Sequence, residues 1–183
     1  DRSLALSAHE QREPAIAGGG NLYLVVWGGP GGLKAGGFLP NGTRLDGNGF
    51  LLDPDASSPA VVFDGERFVV SYVRWRNARE TIVRFVSPRH GLLPEEQLIE
   101  RSGYSWSPLS LAAGDGVVLL TWTRSNAVHA AALRGTQLIA PARKIAEGVT
   151  ACIKTTQGRR LAECGRVINM MSWRVTDDPC PES

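Results

Sequence analysis

The chain has 183 residues and a formal net charge of +2, with 43% hydrophobic and 21% charged residues. That is room for one ordinary domain, or two small ones, with a real core, and too little charge to argue for nucleic acid or an anionic membrane. Twenty-one glycines and 11 prolines disfavour helices and suit short strands joined by turns, and no apolar run approaches the ~18 residues of a membrane helix.

In chain order, no signal peptide precedes Asp1, which reads as a processed or trimmed start, and Ser3 to Ser7 is a short strand ahead of a loop with His9 and Glu10. A first unit follows: Pro14 to Ala17, a turn at Gly18 to Gly20, the apolar run Leu22 to Trp27, a glycine loop, a strand Leu33 to Leu39, a turn at Gly42 and a strand Phe50 to Leu52. The second unit repeats the order with Pro59 to Val62, Asp64-Gly65, Phe68 to Tyr72, Thr81 to Val86, Gly91 and Gln97 to Ile99. The third has Pro108 to Leu111, Gly114 to Gly116, Val117 to Trp122, Ala127 to Leu133, Gly135 and Lys144 to Ala146. A fourth copy keeps the run Val167 to Trp173 and has ten residues after it.

The runs Leu22 to Trp27, Phe68 to Tyr72, Val117 to Trp122 and Val167 to Trp173 end on aromatics spaced by 45, 50 and 51 residues (27 to 72, 72 to 122, 122 to 173). A strand, a glycine turn and a second strand make a hairpin, and four strands in about 50 residues make a propeller blade. The second strand, apolar on both faces, is expected to be covered by a blade on either side, with the terminal aromatic as inter-blade packing.

The fold class expected is therefore all-β, a β-propeller of four four-stranded antiparallel repeats forming a single domain over 1–183. The repeats fall at about 12–53, 57–100, 106–148 and 150–183, the last completed by residues 1–8, because closure removes exposed sheet edges. An incomplete ring, completed by a second chain or belonging to a longer polypeptide, is the competing expectation, and self-association would follow from it.

The runs Pro59-Ala60-Val61-Val62-Phe63-Asp64-Gly65-Glu66-Arg67-Phe68-Val69-Val70-Ser71-Tyr72 and Asn21 to Trp27 resemble a propeller-type repeat common in large secreted bacterial proteins. Those repeats read as Pro-Ala-Val-Ala-Phe-Asp-Gly, then an aromatic and Leu-Val-Val-Trp. Phe38 to Thr43 and Phe50 to Leu52 resemble the rest of the unit, and the likeness covers about residues 12 to 148. It implies an exported protein, secreted or at the cell surface, with a propeller fold, and no particular activity.

The chain has no GxSxG, HExxH or P-loop motif. Gly28-Gly29-Pro30-Gly31-Gly32 follows a strand but lacks GxGxxG spacing and a following helix, so it reads as an inter-strand loop. Asp46-Gly47-Asn48-Gly49 reads as a turn, since calcium needs six or more oxygens. Asn41-Gly42-Thr43 has the form of a glycosylation sequon, of consequence only in a eukaryotic secretory pathway. His9, His90 and His129 form no set. Cys152, Cys164 and Cys180 lack metal-ligand spacing and are weighed between free thiols and one disulfide, Cys152–Cys164 or Cys164–Cys180. No metal and no cofactor is implied.

In a propeller, the loops joining fourth to first and second to third strands emerge on one face, where ligands meet the blades. This selects Arg74, Trp75, Arg76, Arg79, Tyr104, Trp106 and Arg124 as binding candidates. Loop aromatics offer a stacking surface for a sugar or a protein side chain, and arginines are bidentate donors to carboxylate or phosphate. The expected function is a binding module for a glycan or protein partner. The alternatives are a glycoside-active enzyme, with Glu10, Asp53, Asp55 and Asp177 converging from different blades, and a structural subunit or fragment of a larger propeller.

Overall fold

The computed structural model describes residues 12–102, 109–125 and 127–147, with three short strands between 161 and 176. No helix occurs among the described residues. The first sheet holds β1 (Arg12–Gly19), β2 (Leu22–Gly29), β3 (Gly32–Phe38) and β4 (Phe50–Asp53) in that spatial order. The second holds β5 (Ala56–Phe63), β6 (Phe68–Trp75), β7 (Arg79–Ser87) and β8 (Gly91–Ser102), and the third β9 (Ser110–Gly114), β10 (Val117–Arg124), β11 (Ala127–Arg134) and β12 (Gln137–Glu147). A further sheet has three strands, β13 (Leu161–Glu163), β14 (Arg166–Asn169) and β15 (Arg174–Thr176). All pairings are antiparallel between chain neighbours.

Turn chemistry sets this meander. Gly20 and Asn21 join β1 to β2, and Asp115 and Gly116 join β9 to β10, all four with positive φ, the pairing a two-residue hairpin of type I′ requires. Prolines sit on edge strands: Pro94 in β8, Pro141 in β12, and Pro14 and Pro59 in β1 and β5. The last two mark register irregularities, with Glu13 and Ser58 before them at positive φ, and the Glu13 carboxylate accepts the Ser58 N–H at 2.6 Å.

Two apolar layers hold the three sheets together. Leu24, Val26, Leu33, Ala35 and Leu52 of the first sheet pack on Phe68, Val70, Tyr72, Ile82 and Val86 of the second. The opposite face of the second sheet, with Val69, Val73, Val83, Phe85 and Ile99, packs on Val118, Leu120, Trp122, Ala131 and Leu133 of the third. Burial of a side chain of this size stabilises by about 1.5–3 kcal/mol.

Of β2, β6 and β10, only β6 has cover on both faces, since seven of its eight residues are buried. Strands β2 and β10 alternate instead, because only the middle sheet has a described neighbour on either side. Tyr72 and Trp122 fill the two layers. Trp27 lies outside both: the loop between β3 and β4 folds over it, with the Arg44 guanidinium 5.4 Å from its ring centre and 5.7 Å from that of Phe38. Asp46 fastens this loop by accepting the Gly37 N–H at 2.5 Å.

Four blades in a closed ring were expected; three four-stranded sheets and one three-stranded sheet are present among the described residues. Residues 1–8, Cys152, Cys164 and Cys180 lie outside the described residues. The strand boundaries also move. Arg74, Trp75 and Arg79, expected in a loop, end β6 and begin β7, and β8 and β12 are far longer than the three-residue strands expected there.

Candidate functional site

At the rim where second strands end and fourth strands terminate, register sorts the second sheet's residues into two rows. Arg74 pairs with Glu80 and Glu80 with Arg101; one step outward, Trp75 pairs with Arg79 and Arg79 with Ser102. Opposed residues share a face and successive ones alternate. The first row therefore lies on the face of Tyr72, toward the first sheet, and the second on the face of Val73, toward the third.

Arg74, only 8% exposed, is the centre of the first row. Its Nε donates to Glu80 Oε2 at 2.8 Å, its Nη1 to Glu96 Oε1 at 2.8 Å, and Nη1 lies 3.5 Å from Asp53 Oδ2. Arg101 donates from Nε at 2.9 Å to Glu80 Oε1, and Arg84 from Nη1 at 3.4 Å to Glu96. The Tyr72 hydroxyl makes a long hydrogen bond, 3.3 Å, to Asp53, whose other oxygen accepts the Asp55 N–H at 3.0 Å.

Three carboxylates are thus matched by three guanidiniums at the seam of two sheets. Burial works against the Arg74 charge, but its hydrogen bonds to Glu80 and Glu96 outweigh this and raise its pKa. Hydrogen bonds from Arg101, then Arg74, hold Glu80 below the usual carboxylate range. Burial first, and then the Asp53 and Glu96 charges, push the Tyr72 hydroxyl upward, so it stays a protonated donor.

The next seam repeats the arrangement. Trp122 Nε1 donates to Glu100 Oε2 at 2.8 Å, and Arg124 pairs with the other Glu100 oxygen. In both seams an aromatic and the arginine two residues after it, Tyr72-Val73-Arg74 and Trp122-Thr123-Arg124, hold a carboxylate from the fourth strand of the preceding sheet. His129 stacks on Trp122, 5.9 Å between ring centres, rather than joining a ligand set.

Of the binding candidates, Arg74 and Arg124 are therefore occupied in seams between sheets. Trp75 is 49% exposed at the end of β6, with the Arg79 guanidinium 3.9 Å from its ring centre. Burial lowers the Arg79 pKa. Arg76, in the turn after Trp75, lies 3.8 Å from Asp55, both side chains about half exposed. Tyr104 and Trp106, with Glu10 and Asp177, lie outside the described residues. The structure thus brings Trp75, Arg76 and Arg79 together at one rim.

Sequence reasoning missed Glu80, Glu96, Glu100 and Arg101 as members of the rim. The repeated aromatic-x-Arg, read with an acidic residue closing the fourth strand of the unit before, is the signal that finds the two seams.

No family model matches the chain, and no curated protein matches it. Among solved structures it is similar to a subtype N10 neuraminidase-like protein of A/little yellow-shouldered bat/Guatemala/060/2010, with a TM-score of 0.52 and 11% identity. The match covers 87% of this chain and 50% of that one, so the chain spans about half the length of its neighbour. At that identity the likeness speaks for the propeller-type fold alone.

Proposed function

We propose that the protein is a non-enzymatic propeller module that binds a glycan or protein partner through its loop-rich rim, outside the cytoplasm. The half-exposed indole of Trp75, backed by the Arg79 guanidinium and beside Arg76, carries this reading. An exposed indole held at a strand end offers a preorganised stacking surface, and stacking or cation–π contact there is worth about 1–2 kcal/mol. The enzyme alternative has less support, because Asp53 is engaged by Tyr72, Arg74 and the Asp55 N–H, and Asp55 lies beside Arg76. The probes are a glycan array of neutral and carboxylated oligosaccharides, and immobilised polyglutamate as an acidic protein surface. Trp75→Ala is expected to weaken binding to whichever probe is retained by about tenfold, equivalent to ~1.4 kcal/mol, with little change in Tm. Binding unchanged in Trp75→Ala overturns the assignment.

In this reading the chain resembles the secreted bacterial propeller repeats, keeps one disulfide among its three cysteines, and closes as a four-bladed ring. Ser3 to Ser7 would supply the fourth strand to the sheet that has three. Deleting residues 1–8 is then expected to expose a strand edge and cost about 2–3 kcal/mol, the burial of one or two leucines, measured by urea denaturation. A deletion that leaves both stability and the monomeric state intact sinks closure within one chain. A specific observation favours one alternative as well: the twofold longer neighbour fits a piece of a larger propeller, which a solution mass above that of the monomer would support.

A further inference from the structure

The two faces of the Trp75 indole are not equivalent. The guanidinium of its register partner Arg79 lies over the ring, 3.9 Å from the centre, yet the residue is 49% exposed. One face is therefore occupied and the other is left to a ligand. One row inward on the same side of the second sheet lie Val73, Thr81 and Glu100. Glu100 is held by Trp122 Nε1 and Arg124 of the third sheet. The indole thus stands at the mouth of the seam between the second and third sheets.

Charge around this mouth is uneven. Among the described residues it carries three guanidiniums, Arg76, Arg79 and Arg124, against two carboxylates, Asp55 and Glu100. Glu100 is matched within the seam. Asp55 accompanies Arg76 at only 3.8 Å, with both side chains about half exposed. The Arg76 guanidinium makes no hydrogen bond among the described residues. A solvent-screened pair of this kind is weak, so another carboxylate can take the place of Asp55. The Asp55 backbone is fixed independently, since its carbonyl accepts the Trp75 N–H at 2.8 Å.

These features select a ligand class. A guanidinium behind the ring already draws on the π-electrons that a second cation would use, which disfavours lysine or a quaternary ammonium on the open face. An aspartate or glutamate side chain offers a carboxylate but no flat surface to stack. A hexuronate offers both, because its equatorial carboxylate projects from the edge of the pyranose ring. With the C–H face of that ring on the indole, the carboxylate comes to the neighbouring arginine, whose planar fork suits it bidentately.

We propose that this rim takes a hexuronate residue of an acidic oligosaccharide, with the pyranose on the open face of Trp75 and the carboxylate on Arg76. The proposal rests on the reading of Trp75 as a ligand platform. Arg79 then acts as a positioning residue that holds the indole from behind, and Asp55 competes with the ligand for Arg76.

The test is calorimetric titration of the full chain with trisaccharides of galacturonate, glucuronate and mannuronate, and with their methyl esters, which keep the ring and lose the charge. At least one acid should bind, and its ester at least tenfold more weakly. Arg76→Gln should bring that acid down to the level of its ester and leave the ester unchanged. Asp55→Asn should tighten the acid several-fold, because the competitor is gone. Equal binding of acid and ester overturns the hexuronate assignment, as does an Asp55→Asn variant that binds the acid no better. Binding of polyglutamate but of none of the three acids overturns it in favour of a protein surface, and binding of no probe overturns it outright. Trp75→Ala separates the two readings. If it weakens acid and ester alike while the two bind equally, the platform stands and only the hexuronate falls; if it leaves a bound sugar unaffected, the platform itself falls.

Discussion

Arg74→Met is expected to destabilise the protein by about 3–5 kcal/mol, the range for removing one partner of a buried ion pair. Methionine fills much of the same volume, so the loss is electrostatic rather than a cavity. What remains is Asp53 with only a long Tyr72 bond and a backbone N–H, and Glu96 with the more distant Arg84. Glu80 keeps Arg101. Because Asp53 belongs to the first sheet and Glu80 and Glu96 to the second, the variant leaves a seam with uncompensated carboxylates on both sides. Urea denaturation reads the effect, and a loss below about 1 kcal/mol would show that the network is worth no more than a surface pair.

The pH dependence of that loss follows from Glu80. Its folded pKa lies below the ordinary carboxylate value of about 4.3, held there by Arg101 and Arg74. A depressed folded pKa contributes stability that is fully present above the unfolded pKa and disappears as pH falls through the folded one. The gap between the natural protein and Arg74→Met should therefore be widest near neutrality and narrow below about pH 4, where a protonated carboxyl no longer needs the guanidinium. A gap that widens on acidification contradicts the account.

The hairpins and their order were legible because their signals are local. Asp115-Gly116 needs positive φ, and apolar runs such as Val117 to Trp122 stand between such turns. The extension of β6 through Arg74 and Trp75 was not legible. A tryptophan between two arginines, Arg74 and Arg76, reads as a loop, and the burial of Arg74 depends on Asp53, Glu80 and Glu96, each six to 22 residues away along the chain. The outer strands were underestimated for a related reason: Pro94, Glu95 and Glu96 look unlike a strand, although an edge strand accepts proline and charge. At the rim, the exposed pair Trp75 and Arg79 was found as residues, but not their stacking, which needs the β6–β7 register.

Gly32→Ala is the backbone counterpart of the arginine variant, with an expected cost of about 3–5 kcal/mol. Gly32 begins β3 at φ +108, where an L side chain is strained, a penalty of about 1–3 kcal/mol. A Cβ there would also stand 2.3 Å from the Asp53 carbonyl oxygen and 2.4 Å from Pro54 Cα. Both are backbone atoms, so no side chain can swing away, and overpacking of this kind adds about 1–3 kcal/mol. The end of β4 must move, and with it the Asp53 carboxylate that meets Tyr72 and Arg74 across the seam. Gly31 supplies the control, since it has φ +85 but nothing within 4 Å of an added Cβ. Gly31→Ala should therefore show the backbone strain alone, and Gly32→Ala the strain plus the displaced seam. If the two alanine variants unfold within about 1 kcal/mol of each other in urea, the close approach of β3 to Asp53 and Pro54 does not constrain the rim.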